Sequence, residues 1–433
     1  IQWVIVAFVA ARAGLVMGAG SFADRFGLRR VYLFGAITYL GSMVAISLSP
    51  TLAPVVVFRV LQALGTGSLF AVSPALASRV FPPGRQGLAM GFATASQALG
   101  MLTGTLGAGA LVSIFDWQAV FFGRIPFLLL ALVLAHRFLR GVETHDRQEV
   151  KGLPFDAAGA VTLLGAFLCL VVGLRLGRSE GWTAPVVLTL LSMTPVFLAA
   201  FWHAERRAPW PVLPGNLIAV RGFAISYISM FLAHFGVFVI WFIFPFYISD
   251  ALGLGPGSLG VMLAVMALLN SGFAGVGGWL CDRVGTTAIG TIGLTALSAG
   301  LLLMGFLNAE SGLDQVALRI ALVGVGTGLF QASAFTLMMN SVPVQRFGTA
   351  GAAIALAQSL GTVLSVAVTG GLFALSNNYH LGVLGSGGLT PVENEVRAFV
   401  LAYRDVFWMG AAITIVAAGV FLLSRGPKAE ASA

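Results

Sequence analysis

Long apolar runs separated by short polar stretches extend over the whole chain. A membrane-spanning helix needs about 20 mostly apolar residues. The pattern predicts an all-α polytopic membrane protein with thirteen transmembrane helices in these residues. The predicted segments are 1–20, 31–49, 54–79, 88–114, 119–138, 156–176, 184–203, 223–249, 258–281, 287–308, 313–339, 347–376 and 404–424.

Composition supports the membrane assignment. The chain has 433 residues, of which 58% are hydrophobic and 9% charged, whereas a soluble domain carries about 25% charged residues. The net charge of +8 could indicate a nucleic-acid partner. We reject that partner because the basic residues lie in short connections between apolar segments, where Lys and Arg set orientation in the bilayer.

The distribution of basic residues predicts the orientation. If the connection around Asp24 is cytoplasmic, sixteen Lys and Arg side chains lie in cytoplasmic connections and four in outer ones. The C-terminus is then cytoplasmic and Ile1 lies outside. The chain begins without Met and inside an apolar segment, so we expect one further helix upstream, which would make fourteen.

A short basic motif occurs twice with the spacing Gly-x-x-x-Asp-Arg-x-Gly. The first copy, read as a loop between two helices, contains Gly20, Asp24, Arg25 and Gly27, followed by Arg29 and Arg30. The second copy contains Gly278, Asp282, Arg283 and Gly285. Two copies at matching places in similar halves indicate an internal duplication.

Further matches extend the duplication. Pro82-x-x-Arg85-x-Gly87 matches Pro343-x-x-Arg346-x-Gly348, and a Gln follows each Gly ten residues later. We therefore expect two parallel repeats separated by two inserted helices. The predicted parts are an N-terminal repeat at 1–140, a cytoplasmic linker at 141–155, inserted helices at 156–203, a cytoplasmic linker at 204–222, a C-terminal repeat at 223–424 and a cytoplasmic tail at 425–433.

These motifs resemble those of the major facilitator superfamily, and in particular its fourteen-helix drug:proton antiporters. The Asp24-Arg25 stretch is similar to the superfamily signature after helix 2, and Arg59-x-x-Gln62-x-x-Gly65-x-Gly67 resembles the antiporters' helix-4 motif. The resemblance implies the major facilitator fold, with family helices 2–6 in the first repeat and family helix 1 absent. It also implies a monomer in the inner membrane of a bacterium.

The resemblance further implies a function. It predicts export of a small amphipathic organic substrate by alternating access, in exchange for protons, without a cofactor. One departure matters, because Thr105 stands where the antiporters' helix-5 signature has Pro. An uncoupled facilitator or a lipid or metabolite exporter stays open, and so does a membrane sensor or scaffold that does not transport. The sequence contains no convincing catalytic or metal-binding constellation, so an enzyme is not expected.

Asp24 has two interpretations. It can be an interfacial charge that only marks topology. Alternatively, its carboxylate faces the positive N-terminus of the helix starting near Phe347, or pairs with Arg85, and the contact opens and closes during transport. The resemblance implies this second role, and Asp282 with Arg283 would serve the other half more weakly.

Buried cations are candidates for proton coupling. Arg59 either extends to the outer interface or, as the resemblance implies, faces the interior with Gln62 one turn away on the same face. Arg12 lies mid-segment and could contact an anionic substrate or an acid on the upstream helix. No Asp or Glu lies deep in any predicted segment, so His234 is either a titrating group or a hydrogen-bonded core histidine.

Small and polar residues complete the candidates. Gly100, Gly104 and Gly107 share one helical stripe, which predicts either a sliding helix contact or tight static packing. Candidates for the substrate path are Gln97, Phe238, Trp241, Asn270, Gln331 and Gln358.

Overall fold

The computed structural model describes residues 2–82, 84–141, 155–384 and 390–424, and these residues form helices and no β-strand. The helices of the first part are α1 (Gln2–Phe26), α2 (Leu28–Ser47), α3 (Leu52–Val80), α4 (Gln86–Ile114), α5 (Ala119–Phe122), α6 (Ile125–Phe138), α7 (Ala157–Glu180) and α8 (Pro185–Arg207). The later helices are α9 (Gly215–Ala219), α10 (Arg221–Phe246), α11 (Pro256–Val284), α12 (Thr286–Met304), α13 (Leu313–Asn340), α14 (Phe347–Leu384) and α15 (Pro391–Leu422). The predicted all-α membrane fold is confirmed.

Twelve helical segments of the described chain are long and apolar enough to cross a membrane. The predicted segment 88–114 corresponds to α4, a helix of 29 residues that is not among the twelve. The side chains of 108–110 and 112–113 lie outside the described residues. So do nearly all of the predicted linker 141–155 and the predicted tail 425–433.

The predicted loop at residues 20–30 was wrong. Helix α1 continues to Phe26 and α2 begins at Leu28, so Gly27 alone separates them. Gly27 has φ 105° and ψ 134°, and Gly285 repeats this break between α11 and α12 with φ 100° and ψ 150°. Only glycine adopts such angles without strain, so the last Gly of each motif lets two helices meet with one residue between them.

Three other predicted segments differ in detail. The predicted span 119–138 is one of the twelve, at Ala119–Gly141, with a short turn between α5 and α6, and Pro126 lies in the first turn of α6, where proline is favoured. Helix α14 extends past 376 to Leu384, and its 38 residues measure about 57 Å, well beyond the hydrocarbon core. Helix α15 begins at Pro391, before the apolar segment 404–424, at the start that Thr390-Pro391 with Glu393 predicts. Thr390 and Glu393 form the capping box there, as the sequence Thr-Pro-x-Glu predicts.

The chain divides into two compact units, each discontinuous in sequence. The first contains Ile1–Pro82, Gly107–Phe223 and Met338–Ser359, and the second contains Pro83–Leu106, Ala224–Leu337 and Leu360–Ala433.

Each unit contains a helix pair whose backbones approach closely at glycines. In the first unit, a Cβ on Gly65 of α3 would lie 2.8 Å from the Gly35 carbonyl oxygen of α2. In the second, a Cβ on Gly326 of α13 would lie 2.7 Å from the Gly293 carbonyl oxygen of α12. In lipid, helices associate through close packing at small residues and not through burial of apolar surface. These glycine contacts therefore hold α2 against α3 and α12 against α13.

We predict opposite effects of alanine at two glycines. Gly27→Ala should destabilise the protein by about 1–3 kcal/mol, because alanine is strained at that positive φ. Gly41→Ala lies inside α2 with no atom within 4 Å of the added Cβ, so it should stabilise by about 0.4–1 kcal/mol. Thermal unfolding in one detergent measures both, and equal shifts of the midpoint would contradict the role of Gly27.

Candidate functional site

The carboxylate of Asp24 caps the N-terminus of α14. Its Oδ1 accepts from the Gly348 N–H at 2.6 Å, and its Oδ2 accepts from the Thr349 N–H at 2.8 Å and the Thr349 hydroxyl at 2.6 Å. A helix start leaves its first N–H groups unpaired and carries a partial positive charge. A carboxylate accepts hydrogen bonds from those N–H groups and also balances the charge. The expected contact with the helix starting near Phe347 is present. We call Asp24, Gly348 and Thr349 the Asp24 cap.

The glycine four residues before Asp24 makes this cap sterically possible. A Cβ on Gly20 would collide with the Gly348 carbonyl and the Ala352 methyl group. A Cβ on Gly348 would lie 2.6 Å from both the Gly20 carbonyl oxygen and Asp24 Oδ1. The absence of side chains at both positions lets α1 and α14 approach until the carboxylate reaches the helix start.

The second motif forms an equivalent cap on α4. Asp282 Oδ1 accepts from the Gly87 N–H at 2.6 Å, and its Oδ2 accepts from the Leu88 N–H at 2.9 Å. A Cβ on Gly278 would collide with the Gly87 carbonyl, as at the first cap. We call Asp282, Gly87 and Leu88 the Asp282 cap.

The two caps are related by the internal repeat. Gly87 and Gly348 are the matching glycines of the Pro-x-x-Arg-x-Gly pair, so the aspartate of each repeat caps a helix of the other. The caps differ in one partner, because Leu88 has no hydroxyl where Thr349 supplies a third hydrogen bond. Asp282 is also more exposed than Asp24.

The basic residues of the motifs contact other groups than the aspartates. Arg25 lies over the Phe26 ring at 4.9 Å and Arg283 over the Trp279 ring at 4.0 Å. Arg29 donates to the His136 carbonyl at 3.4 Å, and Arg30 is exposed. The expected pairing of Asp24 with Arg85 stays a prediction.

Arg346 is a cation that interacts electrostatically with Asp24. Its guanidinium lies over the Trp210 ring at 3.2 Å, and its Nη1 donates to the Pro211 carbonyl at 3.1 Å. It also interacts electrostatically with Glu205. The stretch after the inserted helix α8 therefore holds a cation beside the Asp24 cap.

Glu205 fixes the shape of that stretch. Its side chain is buried, and its carboxylate accepts from the Val212 N–H at 2.8 Å and the Leu213 N–H at 3.1 Å. The turn that these bonds close carries Trp210 and Pro211. We call Glu205, Trp210, Pro211 and Arg346 the Arg346 clamp. Sequence reasoning missed it, because only contacts between distant residues define it; an acid within the predicted linker 204–222 was the available signal.

Arg59 is held inside the first unit. Its guanidinium donates to Gln62 Oε1 at 2.9 Å and lies 5.0 Å from the Phe121 ring and 5.6 Å from the Phe8 ring. Gln62 thus shares its face, as the sequence predicts. These contacts favour an arginine directed at protein over one that extends to the interface.

Arg12 has one recorded partner in the described chain. Its guanidinium lies 4.2 Å above the Phe70 ring, and its Nε is buried without a hydrogen-bond partner. A buried cation held only by a ring has unused donors, and a carboxylate or another anion is the chemistry that would satisfy them.

The predicted glycine stripe lies on α4. A Cβ on Gly100, Gly104 or Gly107 would meet no atom of the described structure within 4 Å, so both a sliding contact and static packing stay predictions. The Thr105 hydroxyl donates to the Met101 carbonyl at 2.8 Å, a side-chain bond within α4, which continues through this position. Trp241 lines the same small cavity as Thr105.

The other predicted positions are dispersed. A Cβ on Gly361 of α14 would lie 3.0 Å from the His234 Cβ, so these helices meet beside that histidine. The remaining candidates differ in burial: Asn270, Gln331 and Gln358 are buried, Phe238 is half-buried and Gln97 is exposed. Asn270 Oδ1 and Gln358 Nε2 have no protein partner in the described part of the chain.

One carboxylate inside a helix was not recognised from the sequence. Asp405 lies about four turns into α15, because that helix begins at Pro391. Its Oδ2 accepts from the Ser376 hydroxyl at 2.6 Å and from His380 Nε2 at 3.0 Å, and Arg404 lies 3.5 Å from its Oδ1. The predicted apolar segment 404–424 put Asp405 at its end, although Thr390-Pro391 with Glu393 predicts the earlier helix start that places Asp405 inside α15.

Comparison with known proteins identifies the family. The model of the Major Facilitator Superfamily matches residues 1–202 and 226–433. The chain is 32% identical to the tetracenomycin C resistance and export protein of Streptomyces glaucescens, over 86% of this chain and 69% of that protein. It is 28% identical to the puromycin resistance protein pur8 of Streptomyces alboniger, over 99% and 85%.

A solved structure agrees on the fold. The crystal structure of the human organic anion transporter MFSD10 superposes with a TM-score of 0.68 at 15% sequence identity, and the match covers 97% of this chain and 83% of that one. Together with the twelve apolar helices and the duplicated caps, these matches show that the chain belongs to the major facilitator superfamily and is a multi-pass membrane transporter of it.

Proposed function

We propose that this transporter exports small amphipathic organic compounds across the cytoplasmic membrane of a bacterium by alternating access, in exchange for protons. The relatives named for drug resistance and export support the substrate class and direction. The observation that carries the mechanism is the reciprocal pair of caps, in which the aspartate of each repeat holds a helix start of the other. The C-terminus is cytoplasmic in this proposal, as the basic residues predict.

The Asp24 cap would act as the stronger of two releasable contacts. A hydrogen bond to a charged group contributes about 1.5–3 kcal/mol, and Asp24 accepts three against two for Asp282. Moving a two-state equilibrium from 1:99 to 99:1 takes about 5.5 kcal/mol. Making or breaking the Asp24 cap is therefore of the size needed to switch the transporter between its two access states.

Proton coupling needs a group that exchanges a proton during the cycle. In the described helices the candidates are Asp405 with its partner His380, and His234. Arg59, held by Gln62 and aromatic rings, would be the fixed cation whose electrostatic interaction changes when the carrier group gains or loses a proton. Arg12 would bind an acidic group of the substrate or of another helix.

A second function is favoured by Thr105. Thr105 stands where the antiporters' signature has Pro, and α4 continues through this position. An uncoupled facilitator or an exporter of lipids or metabolites is the corresponding alternative, and the proton measurement below separates it from antiport.

We predict that Gly20→Val weakens the Asp24 cap. The added side chain collides with the Gly348 carbonyl, so the ends of α1 and α14 should separate. Spin labels on cysteines at Phe22 and Val344, two exposed positions, report the distance in protein whose Cys169 and Cys281 are replaced by serine. The distribution should move to longer distances by several ångströms.

The matched control for this substitution is Gly41→Val, because a Cβ added at Gly41 meets no atom of the described chain within 4 Å. It should leave the distances unchanged. If Gly20→Val also leaves them unchanged, the cap does not hold these helix ends together.

We predict a smaller effect from Trp210→Leu. The substitution removes the ring under Arg346, a cation–π contact of about 0.5–2 kcal/mol, so the same label pair should show a partial shift towards longer distances. Trp202→Leu is the matched control, since Trp202 stacks on Arg206 outside the clamp. Equal shifts in the two variants would exclude a specific role for the Arg346 clamp.

We predict that proton exchange depends on Arg59 and Asp405. In everted vesicles with an imposed pH gradient, amphipathic compounds should collapse the gradient when the wild-type protein is present. Arg59→Ala should reduce that rate by tenfold or more, and so should Asp405→Asn if Asp405 is the proton carrier. The exposed Arg397 supplies the control, and Arg397→Ala should retain activity.

Two outcomes would change the proposal. Transport of labelled compounds without any effect on the gradient would reject antiport and leave the uncoupled carrier. Loss in Arg59→Ala but not in Asp405→Asn would keep antiport and exclude Asp405 as the carrier, with His234→Gln as the next variant.

A further inference from the structure

We propose that the groove between α2 and α6 binds an anionic phospholipid of the surrounding membrane. The groove is open and has a volume of about 800 Å³, within the range of ligand pockets. Its lining is apolar at one end and basic at the other: Leu33, Ile37, Leu132 and Val133, then His136, Arg137 and Arg140. Neither the motifs nor the proposed transport cycle uses these residues.

The apolar residues of the groove lie at the depth of the acyl chains, and its basic residues lie at the depth of the headgroup. Leu33 and Ile37 are about 8 and 14 Å along the axis from the start of α2. Leu132 and Val133 lie about 8–9 Å before the end of α6 at Phe138. The basic residues are at that end, so acyl chains would contact the apolar part while the headgroup reaches the helix terminus.

Two arginines bind the backbone carbonyl of His136 near the end of α6. Arg140 Nε donates to the His136 carbonyl at 3.2 Å, its Nη2 contacts His136 Nε2 at 2.7 Å, and Arg29 Nη2 donates to the same carbonyl at 3.4 Å. These bonds fix where the guanidinium groups stand at the mouth of the groove.

The positive charge of the groove's basic end favours an anionic lipid headgroup. Arg137 and Arg140 are exposed, and none of the ion pairs recorded in the described residues includes either of them. A guanidinium matches a phosphodiester in charge and fork geometry. Basic pockets between transmembrane helices on the cytoplasmic side are typical sites for anionic headgroups.

The apolar end argues for a lipid over a soluble anion. Ile37 and Val133 are 60% and 62% exposed, although they lie within segments that span the membrane. A free phosphate would leave that surface uncovered, whereas the chains of a phospholipid cover it and carry the negative charge to the arginines.

The test uses the purified full-length protein, with bound lipid counted by native mass spectrometry. Phosphatidylglycerol and phosphatidylcholine with identical acyl chains are the probes. The wild-type protein should retain phosphatidylglycerol preferentially. The double variant Arg137→Gln/Arg140→Gln should reduce that preference by about fivefold for each arginine.

Two further variants separate the groove from general surface charge. Arg206→Gln/Arg207→Gln removes an equal charge at the end of α8, outside the groove, and should preserve the preference. Val133→Trp fills the apolar end without changing charge and should reduce retention of phosphatidylglycerol at least fivefold.

Three results would overturn the proposal. The first is a wild-type protein without preference, as expected if Glu143, Asp146 or Glu149 of the linker neutralises the arginines. The second is an equal loss of the phosphatidylglycerol preference in Arg206→Gln/Arg207→Gln, which would mean that general surface charge attracts the lipid. The third is unchanged retention in Val133→Trp, which would mean that no chain occupies the groove.

Discussion

A carboxylate bound to the N-terminus of a helix is the interaction on which both the Asp24 cap and the Asp282 cap depend. Asp24 and Asp282 each satisfy backbone N–H groups that have no partner within their own helix. The carboxylate carries a full negative charge and the helix N-terminus a partial positive charge. Their attraction is strong while water is excluded, and water can hydrogen-bond both groups once they separate. These two properties are what the proposed alternating-access cycle requires of a releasable contact.

Glycine makes this contact possible at two levels. Gly20 and Gly278 allow backbones to approach closely enough for the carboxylates to reach. Gly27 and Gly285 then end the helices at positive φ, so the next helix starts after one residue. The spacing of the motif therefore has a steric reason: close approach first, then the acid one turn later, then the break.

The caps are symmetric in origin but unequal in their surroundings. Thr349 and the Arg346 clamp add a hydrogen bond and a cation to one side only. The clamp contains Glu205 and Trp210, which come from the inserted helices and the connection after them and have no counterpart in the repeats. Within the first unit, the stretch after α8 therefore contacts the Arg346 side chain beside the Asp24 cap.

The sequence by itself determined the membrane fold, the duplication and the acid of each cap, because hydropathy, spacing and charge are local properties of the chain. It also predicted the partner helix of Asp24 and the Arg59–Gln62 contact, since dipoles and helical spacing follow from position. Tertiary structure alone decided that Arg346 lies beside Asp24 and that Asp405 meets His380. Those pairs join residues distant in sequence, and only the packing of the helices decides which side chains meet.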